Sequence, residues 1–250
     1  MLGALGFLTV FGGARRPSPG QQYWFPVVGA AIGATVGLVF WGASQWWPIP
    51  VAAALAVAAD LAITGLLHID GLADSADGLL PHLEPERRLA VMSAPDTGAF
   101  GVAVVGAALL LRWAGWTSSG LRGAQVVAAT AGLWSLSRGL MALVLRLGRY
   151  ARPGGGIATA FGGERSSHAA SRQWWGTIGL AVLTAVLGGG GVLLGRGALA
   201  GVVVCAVALM MGLGVVWLAH RRIAGYTGDV LGASGVLLET AGLIALSARP

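Results

Sequence analysis

The chain has 250 residues, 56% of them hydrophobic and 10% charged, with 42 Gly and a mean hydropathy of +0.75. Soluble domains carry about 25% charged residues, so these values exclude an ordinary water-soluble domain and predict an integral membrane protein. All sixteen basic residues are Arg and the net charge is +6; Arg in cytoplasmic loops and an anionic phosphate substrate account for that without a nucleic-acid partner. No polar linker divides the sequence, so residues 1–250 read as one membrane domain. The single cysteine, Cys205, lies in an apolar run, which rules out an internal disulfide and favours a packed thiol.

In chain order, residues 2–11 read as an interfacial or re-entrant helix. Their run of about eleven apolar residues falls short of the roughly 20 that cross a bilayer. No basic region precedes it, so it does not read as a cleavable signal. Arg15, Arg16 and Pro17 begin a rigid basic turn, Tyr23, Trp24 and Phe25 form an aromatic belt, and Pro26 opens the first span. Apolar runs predict seven spans near 27–45, 51–68, 99–116, 124–145, 174–194, 198–219 and 230–247. With the amino terminus in the cytoplasm, Arg112, Arg122, Arg196 and Arg249 fall outside, Arg138 falls within a span, and the remaining Arg residues fall inside. The polar loops 69–98, 146–172 and 220–229 are then cytoplasmic. Gly29, Gly33 and Gly37 repeat at i+4, a helix-packing pattern, and the run 188–191 predicts a kink or a helix end.

The most distinctive stretch is TGLLHIDGLADSADG, residues 64–78. On a helix, Asp70, Asp74 and Asp77 fall within roughly 40° of one face. Carboxylates so close repel one another unless a cation joins them, and hard oxygen donors suit magnesium completed by water and substrate phosphate. The alternative is that the two Asp-Gly pairs mark turns at a helix end. His68, two residues before Asp70, points to the opposite side of a continuous helix and reads equally as a boundary histidine or a catalytic one. Asp60, one span earlier, reads as an inter-helix partner, because about 15 Å of helix separates it from Asp70.

Later residues add candidates. Glu84, Glu86, Arg87 and Arg88 read as a solvated helix start. Arg138, within the fourth span, suits a phosphate or an acidic partner better than snorkelling. Arg149, Tyr150 and Arg152 precede Gly154–Gly156, an arrangement that offers charge and backbone N–H groups to an anion or forms a basic membrane-surface loop. In GYTGDVLGASGVLLET, residues 225–240, Thr227 or Asp229 can cap the last helix, and Glu239 is a buried acid for which Arg138 is a partner.

HIDGLADSADG resembles the signature of the cobalamin synthase (adenosylcobinamide-GDP ribazoletransferase) family, His-Leu-Asp-Gly-Leu-Ala-Asp followed by a further Asp-Gly. The Arg-Xaa-Pro and WFP segment near the start, the Arg-Tyr-Ala-Arg stretch at 149–152 and Thr-Gly-Asp-Val-Leu-Gly-Ala at 227–233 are similar to further family segments. Two regions depart: Ala94 to Gly98 replaces Asp-Ser-Arg-Xaa-Gly, and Val236 stands where the family has the first of two acids, the second being Glu239. The resemblance implies an all-α polytopic bundle of about seven transmembrane helices with a short N-terminal interfacial helix, in the bacterial cytoplasmic (inner) membrane, with its active site facing the cytoplasm. It implies transfer of alpha-ribazole or its 5′-phosphate to adenosylcobinamide-GDP with release of GMP, Mg2+ as cofactor, and room for a homo-oligomer. Asp70, Asp74, Asp77 and Asp229 are the implied metal ligands and, with His68, the catalytic group. Arg16, Arg138, Arg149, Tyr150, Arg152, Thr227 and Glu239 are the implied substrate contacts. A CDP-alcohol phosphotransferase is the alternative enzyme, but Asp74-Ser75 stands where that family needs Ala-Arg. A divalent-cation transporter is the alternative outside enzymes, although no second acidic triplet repeats the first.

Overall fold

The computed structural model describes residues 1–13, 18–152, 161 and 170–248, with the side chains of 170–174 outside the description. The described residues form an all-α bundle, and six helices are long and apolar enough to cross a membrane. α1 (Leu2–Leu8) is followed by a single 3-10 turn, Val10–Gly12, in agreement with a short non-spanning start. A second 3-10 turn, Gln21–Trp24, leads into α2 (Phe25–Ala43), with Pro26 in its first turn, where the missing N–H is harmless.

α2 makes its main contact with α7 (Ala124–Leu147), the most buried of the long helices. The Gly29, Gly33 and Gly37 stripe explains the fit. A Cβ at Gly29 would collide with the Trp134 carbonyl, one at Gly33 with the Thr130 carbonyl, and one at Gly37 with the Thr130 hydroxyl. Thr130 Oγ1 also donates to the Gly33 carbonyl across the interface at 2.8 Å. The stripe therefore works as close helix packing in a medium where van der Waals contact drives association.

The second expected span is corrected. Its helix does not continue through 51–68: α3 (Ile49–Thr64) ends at Gly65, and α4 (Leu67–Leu79) departs at 90°. Gly65 and Leu66 both have left-handed backbones, with φ of 60° and 63°. Two successive residues of that conformation cannot propagate a right-handed helix. The bend carries the HIDGLADSADG sequence away from the direction of α3, on a helix of 13 residues.

α5 (Pro85–Val91) and α6 (Ala99–Ser118) follow. The solvated reading of the α5 start is corrected at Arg88. Its guanidinium is buried and donates to the carbonyls of Gly78 at 2.9 Å and Leu79 at 3.1 Å, closing the end of α4. α8 (Ala170–Thr184) runs through one π turn, Ala185–Gly189, into α9 (Gly190–Arg196), so the glycine run deforms the helix as its composition predicts. α10 (Ala198–Ile223) and α11 (Gly228–Ser247) close the bundle. α11 packs against α4, α6, α7 and α10, which puts its N-terminal turn beside the acidic helix.

Candidate active site

α4 and the start of α11 meet at Gly71. A Cβ there would lie 2.8 Å from the Asp229 carbonyl oxygen, so glycine permits the approach. Gly232 faces the backbone of His68 across the same seam. The contact places Asp74, half-buried, within electrostatic reach of Asp229, Asp70 and Asp77, with Arg152 as the opposing charge. Asp70 is exposed and lines a cleft together with Asp229 and His68.

The N-terminus of α11 is built as its sequence requires. Thr227 is fully buried and caps the helix, accepting from the Val230 N–H at 3.3 Å. Its hydroxyl also lies 3.1 Å from Asp229 Oδ2. That carboxylate oxygen accepts from Arg152 Nη2 at 3.0 Å, and the same nitrogen donates to the Met92 carbonyl at 3.2 Å. Backbone pairing holds Arg152 there. Ala151 N–H donates to the Tyr226 carbonyl and Tyr226 N–H to the Arg149 carbonyl, both at 2.9 Å. The rings of Tyr150 and Tyr226 pack edge to face at 5.5 Å. Burial, with Tyr150 adding to it, pushes the Tyr226 phenol up to about 12 and keeps it protonated. The sequence segments 149–152 and 226–229, 77 residues apart at Arg152 and Asp229, thus form one unit.

Asp77 differs from its two neighbours. It is buried, and its oxygens accept from the Gly98 N–H at 2.7 Å and the Gly101 N–H at 2.9 Å, so it caps the N-terminus of α6 from another helix. A Cβ at Gly98 or at Gly101 would lie 2.5 Å from one of these oxygens, which accounts for both glycines of the GAFG segment. The carboxylates without such backbone partners are Asp70 and Asp74. Among the described residues, no three His, Cys, Asp or Glu side chains stand in an arrangement that encloses a metal ion on their own. Magnesium commonly takes only one or two protein carboxylates, its remaining positions going to water and phosphate. An exposed Asp70 beside an Asp74 surrounded by like charge fits that partial donor set.

Arg138 and Glu239 are brought together, but neither lines the cleft. They belong to a buried network across four helices. Arg112 on α6 pairs with Asp60 on α3 at 2.7 Å and Glu239 on α11 at 2.8 Å, and Arg138 on α7 pairs with the other Glu239 oxygen. Trp134 Nε1 donates to Asp60 at 2.8 Å, completing that carboxylate's environment. Two acids and two guanidiniums make the network neutral, the condition under which charge is tolerated inside a bundle. Arg112, counted with the outer-side arginines, lies within the spanning helix α6 and is 2% exposed, paired inside the bundle. Its signal was present in the sequence as a charge in the middle of the apolar run 102–116. The inter-helix partner expected for Asp60 is this arginine.

His68 is buried on the continuous helix α4, and its Nδ1 has no hydrogen-bond partner among the described residues. Gly71 does not break the helix; the break lies before His68, at Gly65 and Leu66, and the ring still reaches the cleft. Arg149 is exposed and Tyr150 half-buried. Arg16 and the glycine run 154–156 lie outside the described residues.

The fold and this site define a polytopic all-α membrane protein that gathers carboxylates, an arginine and a helix N-terminus at one end of a bent helix. Its sequence relationships are specific. A model of the cobalamin-5-phosphate synthase family matches residues 1–247. The chain belongs to that family. It is 34% identical over 250 residues to proteins named adenosylcobinamide-GDP ribazoletransferase from Escherichia coli O17:K52:H18 and from Shigella flexneri and Shigella dysenteriae, covering 97% of this chain and 96% of each relative. No solved structure matches the chain.

Proposed function

We propose that this chain is an adenosylcobinamide-GDP ribazoletransferase, a transferase of cobalamin assembly, acting at the junction of α4 and α11. Membership of the family supports the transferase role, and the observation that carries the location is the convergence of Asp70, Asp74, Asp229 and Arg152 across Gly71. In the reaction, the 5′ oxygen of alpha-ribazole, or an oxygen of its 5′-phosphate, forms a bond to the cobinamide-linked phosphorus. The bond from that phosphorus to GMP breaks, and GMP leaves with the electron pair.

Such a transfer depends on placement and neutralisation of phosphate charge more than on a covalent nucleophile. Arg152, held at the mouth of the site by Asp229 and the Met92 carbonyl, offers its guanidinium to phosphate, and exposed Arg149 adds positive charge nearby. A carboxylate of the cluster takes the proton from the attacking hydroxyl. Asp70 and Asp74, with Asp229 beside them, are the residues that would hold Mg2+, which when bound supplies counter-charge to the phosphates. Asp77 orients the acidic face by fixing α4 to the start of α6. The multi-pass bundle sits in the lipid bilayer, and bacterial relatives support the inner membrane. Arg-rich loops support a cytoplasmic site.

The test is purified protein in proteoliposomes supplied with adenosylcobinamide-GDP, alpha-ribazole and magnesium. The expected result is joined corrinoid product in step with GMP. Release of CMP from a CDP-alcohol lipid, or magnesium flux with no GMP, would replace this reading with a CDP-alcohol phosphotransferase or a cation transporter.

A further inference from the structure

Beside the acidic junction lies a mainly apolar cleft of about 100 Å³. Phe7 of α1 and Phe25 of α2 form one wall, stacked at a centroid separation of 5.6 Å and an angle of 14°. The ring of Phe161 meets both edge to face, at 5.0 and 5.7 Å, and backs that wall. Met141 and Leu231 also line the cleft. Asp70 and Asp229 belong to the same cleft, so its apolar space is continuous with the carboxylates. His68, 6% exposed, lies among these residues with its Nδ1 unpartnered.

Three features limit what fits. A flat aromatic ring can pack on the half-buried Phe7 ring, which Phe25 and Phe161 hold in place. A corrin macrocycle with its side chains is far too large for a cleft of this volume, which holds at most a small planar group. Guanine would leave several polar edge atoms without partners against phenylalanine, leucine and methionine, and unpaired polar groups are strongly rejected. A benzimidazole with methyl groups on its outer edge has an apolar edge and one free ring nitrogen, which a single imidazole N–H can meet.

Resting on the proposed reaction, we infer that this cleft is the subsite for the aromatic base of the nucleoside substrate. The base lies against Phe7, which fully buried Phe25 backs, with His68 as the polar contact and the sugar directed to Asp70 and Asp229. The corrinoid and its guanosine approach from outside the cleft. Phe7 and His68 are thus specificity-determining residues for the nucleoside and do not contact the reacting phosphorus.

The test measures KM separately for alpha-ribazole and for adenosylcobinamide-GDP in wild type, Phe7→Leu, Met141→Ala and His68→Asn, with intact full-length protein. The expected result is a rise in KM for alpha-ribazole of about tenfold or more, the scale of a lost hydrophobic contact, with KM for adenosylcobinamide-GDP within about twofold of wild type. That unchanged second constant shows the variants are folded. Removing the two base methyls from the nucleoside should weaken wild type more than it weakens Met141→Ala. Variants that raise KM for adenosylcobinamide-GDP alone, or leave both constants unchanged, would overturn the subsite while wild-type turnover keeps the reaction intact. Absence of turnover in wild type with both substrates would instead overturn the reaction, and binding of alpha-ribazole, read by quenching of its base fluorescence, would then decide the subsite by itself: loss in Phe7→Leu sustains it, and wild-type affinity in Phe7→Leu overturns it.

Discussion

Asp77 accepts the backbone N–H of Gly98 at 2.7 Å, so an acid from the signature sequence caps a helix whose N-cap residue lies 21 residues later. The same carboxylate also takes the Gly101 N–H, and the two bonds fix the relative placement of α4 and α6. This separates Asp77 in role from Asp70 and Asp74, although all three share one helical face.

Asparagine substitutions should therefore divide the three. Asp77→Asn removes one acceptor and the negative charge at a helix N-terminus, with an expected loss of about 1–3 kcal/mol in stability. Asp70→Asn and Asp74→Asn relieve like-charge repulsion and should leave the melting temperature in detergent unchanged or slightly raised. Equal losses for all three would remove the distinction.

The interior network gives a second prediction. Arg112→Met leaves Asp60 and Glu239 against Arg138 alone, and an unbalanced buried carboxylate costs about 3–5 kcal/mol. Adding Asp60→Asn should restore much of that stability, because the pair is coupled. Additive losses in the double variant, measured by thermal unfolding, would show that the pair is not coupled.

The bend between α3 and α4 gives a third. Gly65→Ala forces a side chain into φ of 60° and brings a Cβ to 2.7 Å from Val10 Cγ1. It should lower stability by about 1–2 kcal/mol. Leu66→Gly relaxes a left-handed leucine and should be neutral or stabilising. If both variants melt like wild type, the left-handed pair does not hold the bend.

Arg152 supplies a fourth. Its pairing with Asp229 is roughly a third exposed on the arginine side, at 34%, so Arg152→Lys should change stability by less than about 1 kcal/mol. A lysine lacks the planar fork that meets a phosphate while holding Asp229. The expected signature is weaker binding of adenosylcobinamide-GDP in a normally folded protein. A normal KM for that substrate would remove Arg152 from the phosphate site.

What the sequence made legible follows from how local each signal is. The glycine stripe of α2 and the Thr227 cap depend on neighbours within a few residues, and both appear as read. The acidic face of α4 was legible from helical spacing. The break before it was not, since Leu66 gives no hint of a left-handed backbone and the apolar run continues through it. The burial of Arg112 and Arg88 is not legible for a shared reason: each is satisfied by groups distant in sequence or by carbonyls at another helix end, and spacing carries no record of such partners. Asp77 was grouped with its neighbours because periodicity reports direction and not occupancy.

The central claim is that transfer occurs at the α4–α11 junction, and GMP release tests it most directly. Wild type, Asp74→Asn and Asp229→Asn are compared with both substrates present, with magnesium and with excess chelator. The account predicts release in wild type that requires both substrates and stops on chelation, and a fall of at least about a hundredfold in each variant, on the scale of losing one preorganised charge-stabilising group. GMP release at the wild-type rate in both variants would contradict it.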